Sequence, residues 1–273
     1  MKPIIRRRKA FSVMIRVKSE KKRVRGVVKT LKTKAYYPIG QRAHAAYFLA
    51  GVDSHPLLSI STFIRENNVY VKELRGEFVK SNVIPPEAEI TYVELSSSDT
   101  EEEVDVGLTK LLKNLIPLTR TLVRTRAFSE YGVSITPNMY IREDDEHILF
   151  LDVRAMSLRE DVEEAFTDTL KELLPEAYVE VRTGPGSYLY TPPDSTIVRI
   201  TNEVLEKHGY EPGVLEGAGA SDSRYFTDMG IEIIDFGPRG GNIHGDNEYV
   251  LIPDLEKLPS IYTDIAARLN SKA

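Results

Sequence analysis

Two neighbouring stretches of this chain read Gly219-Ala220-Ser221-Asp222-Ser223-Arg224-Tyr225-Phe226 and Phe236-Gly237-Pro238-Arg239-Gly240-Gly241-Asn242-Ile243-His244-Gly245-Asp246-Asn247-Glu248-Tyr249. They gather glycines, arginines, carboxylates and one imidazole into a short span. Ile231-Glu232-Ile233-Ile234-Asp235-Phe236 reads as a short buried strand with β-branched residues, and Gly237-Pro238 ends it. His244 then falls in a glycine-rich loop past the strand end, where open α/β sheets place their ligands. Asp254 and the run Leu255 to Leu269 start a closing amphipathic helix. A strand, a tight turn, a polar loop with one imidazole and a helix form a usual mount for a metal ligand or an acid–base group.

The chain has 273 residues, enough for one large or two smaller domains. Its 41% hydrophobic and 28% charged content are ordinary for a soluble globular protein. No long apolar run is present, which excludes a membrane-spanning helix and a secretory h-region. The cysteine count is 0, so disulfides and thiolate metal sites are excluded and a cytoplasmic setting is expected. The net charge is −5, yet Met1 to Lys34 is strongly basic, with Arg6-Arg7-Arg8-Lys9 and Lys21-Lys22-Arg23 against Glu20 alone. Such a block can be a nucleic-acid patch. The reading preferred is a hairpin of Ala10–Val17 and Val24–Leu31, with the basic residues on a solvated face and at its tip. Alternation puts Phe11, Val13, Ile15 and Val17 on one face.

Further along, His55-Pro56 opens a helix through Ile64. Val69–Leu74 and Glu89–Leu95 read as strands. Thr100–Leu115 reads as a helix with an acidic first turn. Pro117–Pro137 is a basic connector whose apolar residues make it a candidate cover for the C-terminal part. Ile148–Val153 is a strand, and Leu158–Leu174 a helix with Ser157 as its N-cap. Tyr178–Arg182 is a strand, and Thr196–His208 a helix ended by Gly209. The turn-rich stretch 183–194 is the best domain boundary. Ala88–Leu115 and Glu146–Leu174 share a strand-then-acidic-helix pattern, a loose internal repeat.

The quoted stretches resemble the C-terminal end of the M20 family of zinc-dependent amidohydrolases and peptidases. The family's Gly-rich Ser/Thr-Asp-x-Arg-Phe segment, its strand, Phe-Gly-Pro, and His shortly before Asn-Glu occur here in that order. The middle resembles the family's inserted lid, or dimerisation, domain. Gly40-Gln41-Arg42-Ala43-His44-Ala45-Ala46-Tyr47 matches one lid segment, Asn82-Val83-Ile84-Pro85 another, and Asp152-Val153-Arg154 a strand-end Asp-x-Arg. In the family the last two flank a single strand; here a helix and a connector separate them, which implies an enlarged lid.

The resemblance implies an α/β fold in two parts. Residues 1–188 would be a two-layer sheet-and-helix lid, and residues 189–273 the C-terminal part of an α/β zinc-peptidase-like catalytic domain. It implies hydrolysis of an amide in an N-acyl amino acid or peptide by a zinc-activated water. It also implies roles for single residues. His44 would steady an oxyanion across a dimer, and Arg154 would grip a substrate carboxylate. Tyr47, Asn82, Ser221 and Asn242 would line the substrate, and His244 would bind metal. The family's His-x-Asp pair, bridging Asp and Glu-Glu pair do not precede the lid-like part. Zinc catalysis needs about three protein ligands, so the expectation is a truncated homologue, inactive as a lone chain, with doubtful zinc binding and a lid-mediated homodimer. The alternatives are one half of a split enzyme completed by an N-terminal catalytic chain, a non-catalytic dimerisation or partner-binding protein, and a nucleic-acid binder. No Gly-x-Ser-x-Gly elbow is present, which rejects a serine hydrolase.

Overall fold

A computed structural model describes residues 1–39, 44–97, 100–242 and 247–271. The strands, in chain order, are β1 (Ile4–Arg7), β2 (Lys9–Lys18), β3 (Lys21–Lys34), β4 (Val69–Gly76), β5 (Glu87–Leu95), β6 (Glu101–Asp105), β7 (Ser134–Glu143), β8 (Glu146–Ala155), β9 (Tyr178–Thr183), β10 (Leu189–Tyr190) and β11 (Leu215–Gly217). The helices are α1 (Pro56–Glu66), α2 (Val106–Lys113), α3 (Leu115–Leu118), α4 (Arg159–Leu173), α5 (Thr196–Lys207) and α6 (Ile252–Asn270). This mixture of sheets and helices is the expected α/β class.

Three sheets have the orders β7-β8-β2-β9, β4-β5-β3-β6 and β10-β1-β11, and a two-stranded sheet pairs Gly240–Gly241 with Tyr249–Val250. The predicted hairpin of the basic segment does not form. β2 has β8 on one side and β9 on the other, while β3 pairs with β5 and β6, so the two strands never face each other. Instead the chain passes from the first sheet to the second through Ser19 and Glu20. The acidic stretch expected to open a helix is strand β6, paired with the basic end of β3. Arg25 stands opposite Glu101, Arg23 opposite Glu103 and Lys21 opposite Asp105. Opposite charges facing each other across a ladder favour that pairing over a helical turn.

The predicted face of β2 is buried, and it packs with α1, α2, α4 and the inner face of the second sheet in one core. Phe11, Val13, Ile15, Leu57, Ile60, Ile90, Leu111 and Phe166 all belong to it. A separate small core joins α5 and α6 through Ile200, Val204, Leu205, Ile261 and Ile265. β1 lies in the sheet of β10 and β11, so the first strand sits with the C-terminal segment.

Three local expectations are corrected. Ile231–Phe236 is not a regular strand: it meets a ladder partner only where Asp235 bridges Ile4. A β-branched run without a neighbour cannot satisfy its backbone as a strand. Ser157 does not cap α4; its hydroxyl donates to the Arg124 carbonyl, and the Asp161 carboxylate accepts the Leu158 N–H. The 117–137 connector meets the C-terminal part through polar ties, from the Ser129 hydroxyl and the Glu130 N–H to the Glu216 carboxylate, and its apolar side chains do not form the expected cover. Leu115 and Leu118 enter the main core, while Leu122 and Phe128 are 94% and 70% exposed.

Candidate functional site

Alternation along β8 sends Leu149, Leu151 and Val153 into the core and turns Asp152 and Arg154 to the other face. Across the ladders Asp152 stands opposite Ser12 and Thr136, and Arg154 opposite Ala10 and Ser134. The result is a polar sheet face, yet Thr136, Asp152 and Arg154 are all buried. Arg154 grips Asp152 with both prongs of its fork, Nε to Oδ1 at 2.7 Å and Nη2 to Oδ2 at 2.8 Å. The fork assigned to a substrate carboxylate is therefore engaged by a carboxylate of the chain itself.

His44 begins a short helical turn, Ala45–Tyr47, and caps it: its Nδ1 accepts the Ala46 N–H at 3.1 Å. An accepting Nδ1 is unprotonated, so Nε2 carries the ring proton. Asn82 Nδ2, itself a donor, lies 3.5 Å from Nε2, so in this tautomer the two groups are in contact without a hydrogen bond between them, and the Asn82 backbone carbonyl accepts the Ala45 N–H. The Tyr47 ring lies edge-on to the His44 ring, with centroids 6.0 Å apart. His44 and Tyr47, from one turn, thus meet Asn82, from a later segment, at one corner. Residues Gly40 to Ala43 of that motif lie outside the described residues.

The C-terminal candidates stand on separate elements. Ser221 precedes a helical turn, Asp222–Met229, and its hydroxyl is 2.5 Å from that of Ser223. Asn242 follows the short strand Gly240–Gly241 with φ +59°, in the left-handed region. His244 lies outside the described residues. Zinc, which the resemblance implies, meets no ligand set here: among the described residues no three His, Cys, Asp or Glu side chains gather.

Arg8 was missed by sequence reasoning because a run of arginines reads as surface. It is 2% exposed and fastens the corner to the C-terminal segment. Its Nη2 donates to the Ala46 carbonyl at 2.8 Å and its Nε to the Ala218 carbonyl at 3.0 Å. Burial pushes its pKa down to about 10, so it stays charged at neutral pH. Arg6 and Arg7 are also pinned, to Glu216 and Asp235. For these three arginines the solvated-face reading is wrong.

Two buried histidines, His147 and His55, are structural. His147 is fully buried. Its Nε2 faces the Asp105 carboxylate and its Nδ1 the Tyr140 hydroxyl, each at 2.9 Å. Burial works to raise the Asp105 carboxyl. Hydrogen bonds from His147, the Leu108 N–H and Ser19 outweigh it and hold the group far below the usual range. His55 caps α1 as expected, accepting the Leu57 N–H at Nδ1 and facing Asn138 at 3.1 Å.

Large apolar side chains stay in solvent around the C-terminal segment, among them Tyr225, Phe226, Met229, Ile231, Tyr249 and Ile252. Met229 and Ile252 are 63% and 67% exposed.

The chain is 39% identical to the succinyl-diaminopimelate desuccinylase of Xylella fastidiosa (strain 9a5c) over 85 residues, 31% of this chain and 22% of that protein. It is 36% identical to the desuccinylase of Nitrosospira multiformis over 74 residues, 27% of this chain and 20% of that one. Its fold matches the crystal structure of aminoacylhistidine dipeptidase from Vibrio alginolyticus with a TM-score of 0.72 at 14% identity, over 99% of this chain and 63% of that chain. The chain thus spans less than a quarter of these desuccinylases and under two thirds of the dipeptidase. Peptidase family M20/M25/M40 matches residues 13–268, nearly the whole sequence, and this chain belongs to that family.

Proposed function

We propose that this chain takes part in hydrolysis of an amide bond in an N-acyl amino acid or small peptide, supplying the lid and the C-terminal part of the site. The observation that carries this reading is the His44 corner, held against Asn82 and tied through Arg8 to the turn at Ala218. His44 would present its Nε2 N–H to the oxyanion that forms as the amide carbonyl is attacked. Arg154, neutralised by Asp152, would bind a substrate carboxylate only after that pair opens. Ser221 and Asn242 would contact the substrate from the C-terminal side.

Zinc would supply an activated water when bound, with His244 as one ligand. The described residues gather no complete ligand set, so no step through the metal is assigned to them. Further ligands and the general base belong to polypeptide beyond these residues, either a longer form of this chain or a second chain. The apolar surface at Phe226, Met229 and Ile252 supports that reading. On this view the lone chain is inactive and dimerises through its lid. No helix among the described residues is long and apolar enough to cross a membrane, and we place the reaction in the cytoplasm.

The test is amine release from a panel of N-succinyl and N-acetyl amino acids and dipeptides by the completed enzyme. His44→Ala should lower kcat by roughly a hundredfold or more, the usual cost of losing an oxyanion donor. An unchanged kcat would remove His44 from the chemistry.

A further inference from the structure

Arg8 is the single residue between β1, which belongs to the C-terminal sheet, and β2, which belongs to the lid sheet. A covalent junction between the two parts therefore coincides with a buried cation. Its guanidinium donates in three directions. Nε reaches the Ala218 carbonyl at 3.0 Å and Nη2 the Ala46 carbonyl at 2.8 Å. Nη1 reaches the Tyr131 carbonyl at 3.2 Å, the Gly132 carbonyl at 3.4 Å and the Ser134 hydroxyl at 3.0 Å. None of these acceptors is a carboxylate. A buried charge without a directly bonded counter-charge is costly unless its donors are well placed. Here all three nitrogens are used, and each direction ends on a different part of the chain. Lysine, with a single nitrogen, cannot hold all three at once.

The acceptors explain what the clamp controls. Ala46 lies in the turn that His44 caps, and Ala218 lies between Gly217 and Gly219, just before Ser221. Gly217 lies against Arg7, whose guanidinium would have to shift to admit a Cβ there. The other crossing between the two parts, residues 184–188, is a glycine-containing turn in which Gly186 has φ +75°. Its ties include Lys9 Nζ to the Gly186 carbonyl at 2.5 Å and the Ser187 N–H to the Thr227 hydroxyl at 2.8 Å.

We propose that Arg8 is a positioning residue that fixes the His44 turn against the Gly217–Gly219 turn, and so sets how the lid and C-terminal contributions to the site face each other. The proposal rests on the reading that His44 belongs to that site.

Amide hydrogen exchange of the full chain tests it. In Arg8→Ala, peptides covering 45–48 and 216–219 should both exchange about tenfold faster or more, because local opening no longer breaks the charge-assisted bonds. Peptides from β8 and α4 should keep their rates. Guanidinium ion at millimolar concentration should restore both affected peptides together. Arg8→Lys, which conserves charge and is the milder change if the alanine variant misfolds, should release at least one of the two. Unchanged exchange at both peptides in the variants overturns the proposal. So does a rise spread evenly through β8 and α4, which would make Arg8 a general stabiliser. These rates need no turnover, so the clamp and the proposed hydrolysis can fail independently.

Discussion

Asp152 and Arg154 stand two residues apart on the same face of β8 and close on each other as a bidentate pair, with both side chains more than nine-tenths buried. Removing one partner leaves the other buried and uncompensated. Asp152→Ala should therefore cost about 3–5 kcal/mol in urea denaturation. The double variant Asp152→Ala, Arg154→Met should recover much of that loss. A single-variant cost below about 1 kcal/mol would mean that Arg154 finds another anion or water.

His55 should make stability pH-dependent. Burial pushes its pKa down to about 4, despite the opposing hydrogen bond with Asn138. The unfolded ring titrates near 6.5, so between those values the unfolded chain binds more protons and stability falls as pH drops. The full effect is about 3 kcal/mol, at roughly 1.4 kcal/mol per unit. His55→Asn keeps a capping side chain and should flatten the curve between pH 6.5 and 4. An unchanged slope would place the sensitivity elsewhere.

Metal content follows from the ligand count. Purified and dialysed, the lone chain should retain less than one zinc per chain by elemental analysis, since a catalytic zinc site takes about three protein ligands. Two zinc ions per chain would show a complete site within this sequence.

Assembly is the next expectation. β7, β9 and β4 are outer strands of their sheets, and exposed edges call for cover. Light scattering at micromolar concentration and moderate salt should give a dimer. A monomer under those conditions would remove the lid-mediated contact.

Periodicity made the core legible. The alternation of Phe11, Val13, Ile15 and Val17 and the spacing of Leu108, Leu111 and Leu112 name core residues directly. Motif order made the family legible, whereas the meeting of His44 with Asn82 was not. What stayed hidden depends on partners far away in sequence. Glu101–Asp105 has the composition of a helix start until the basic end of β3 is seen beside it. Arg8 looks like surface until carbonyls from three segments converge on it. His147, among acidic residues, looks exposed until β8 sets it opposite Val17 on the core side. Ile231–Phe236 shows the reverse error: strand propensity cannot act where only Asp235 meets a ladder partner.

The central claim is that these residues are part of an amide-hydrolysing site completed by other polypeptide. It is tested most directly by measuring amine release from N-acyl amino acids with this chain alone, and with the polypeptide that carries the family's His-x-Asp and Glu-Glu segments, each supplied with zinc. The lone chain should show no turnover, and the combination should show turnover that is abolished in His244→Ala. Turnover by the lone chain, or turnover by the combination that survives His244→Ala, would contradict it.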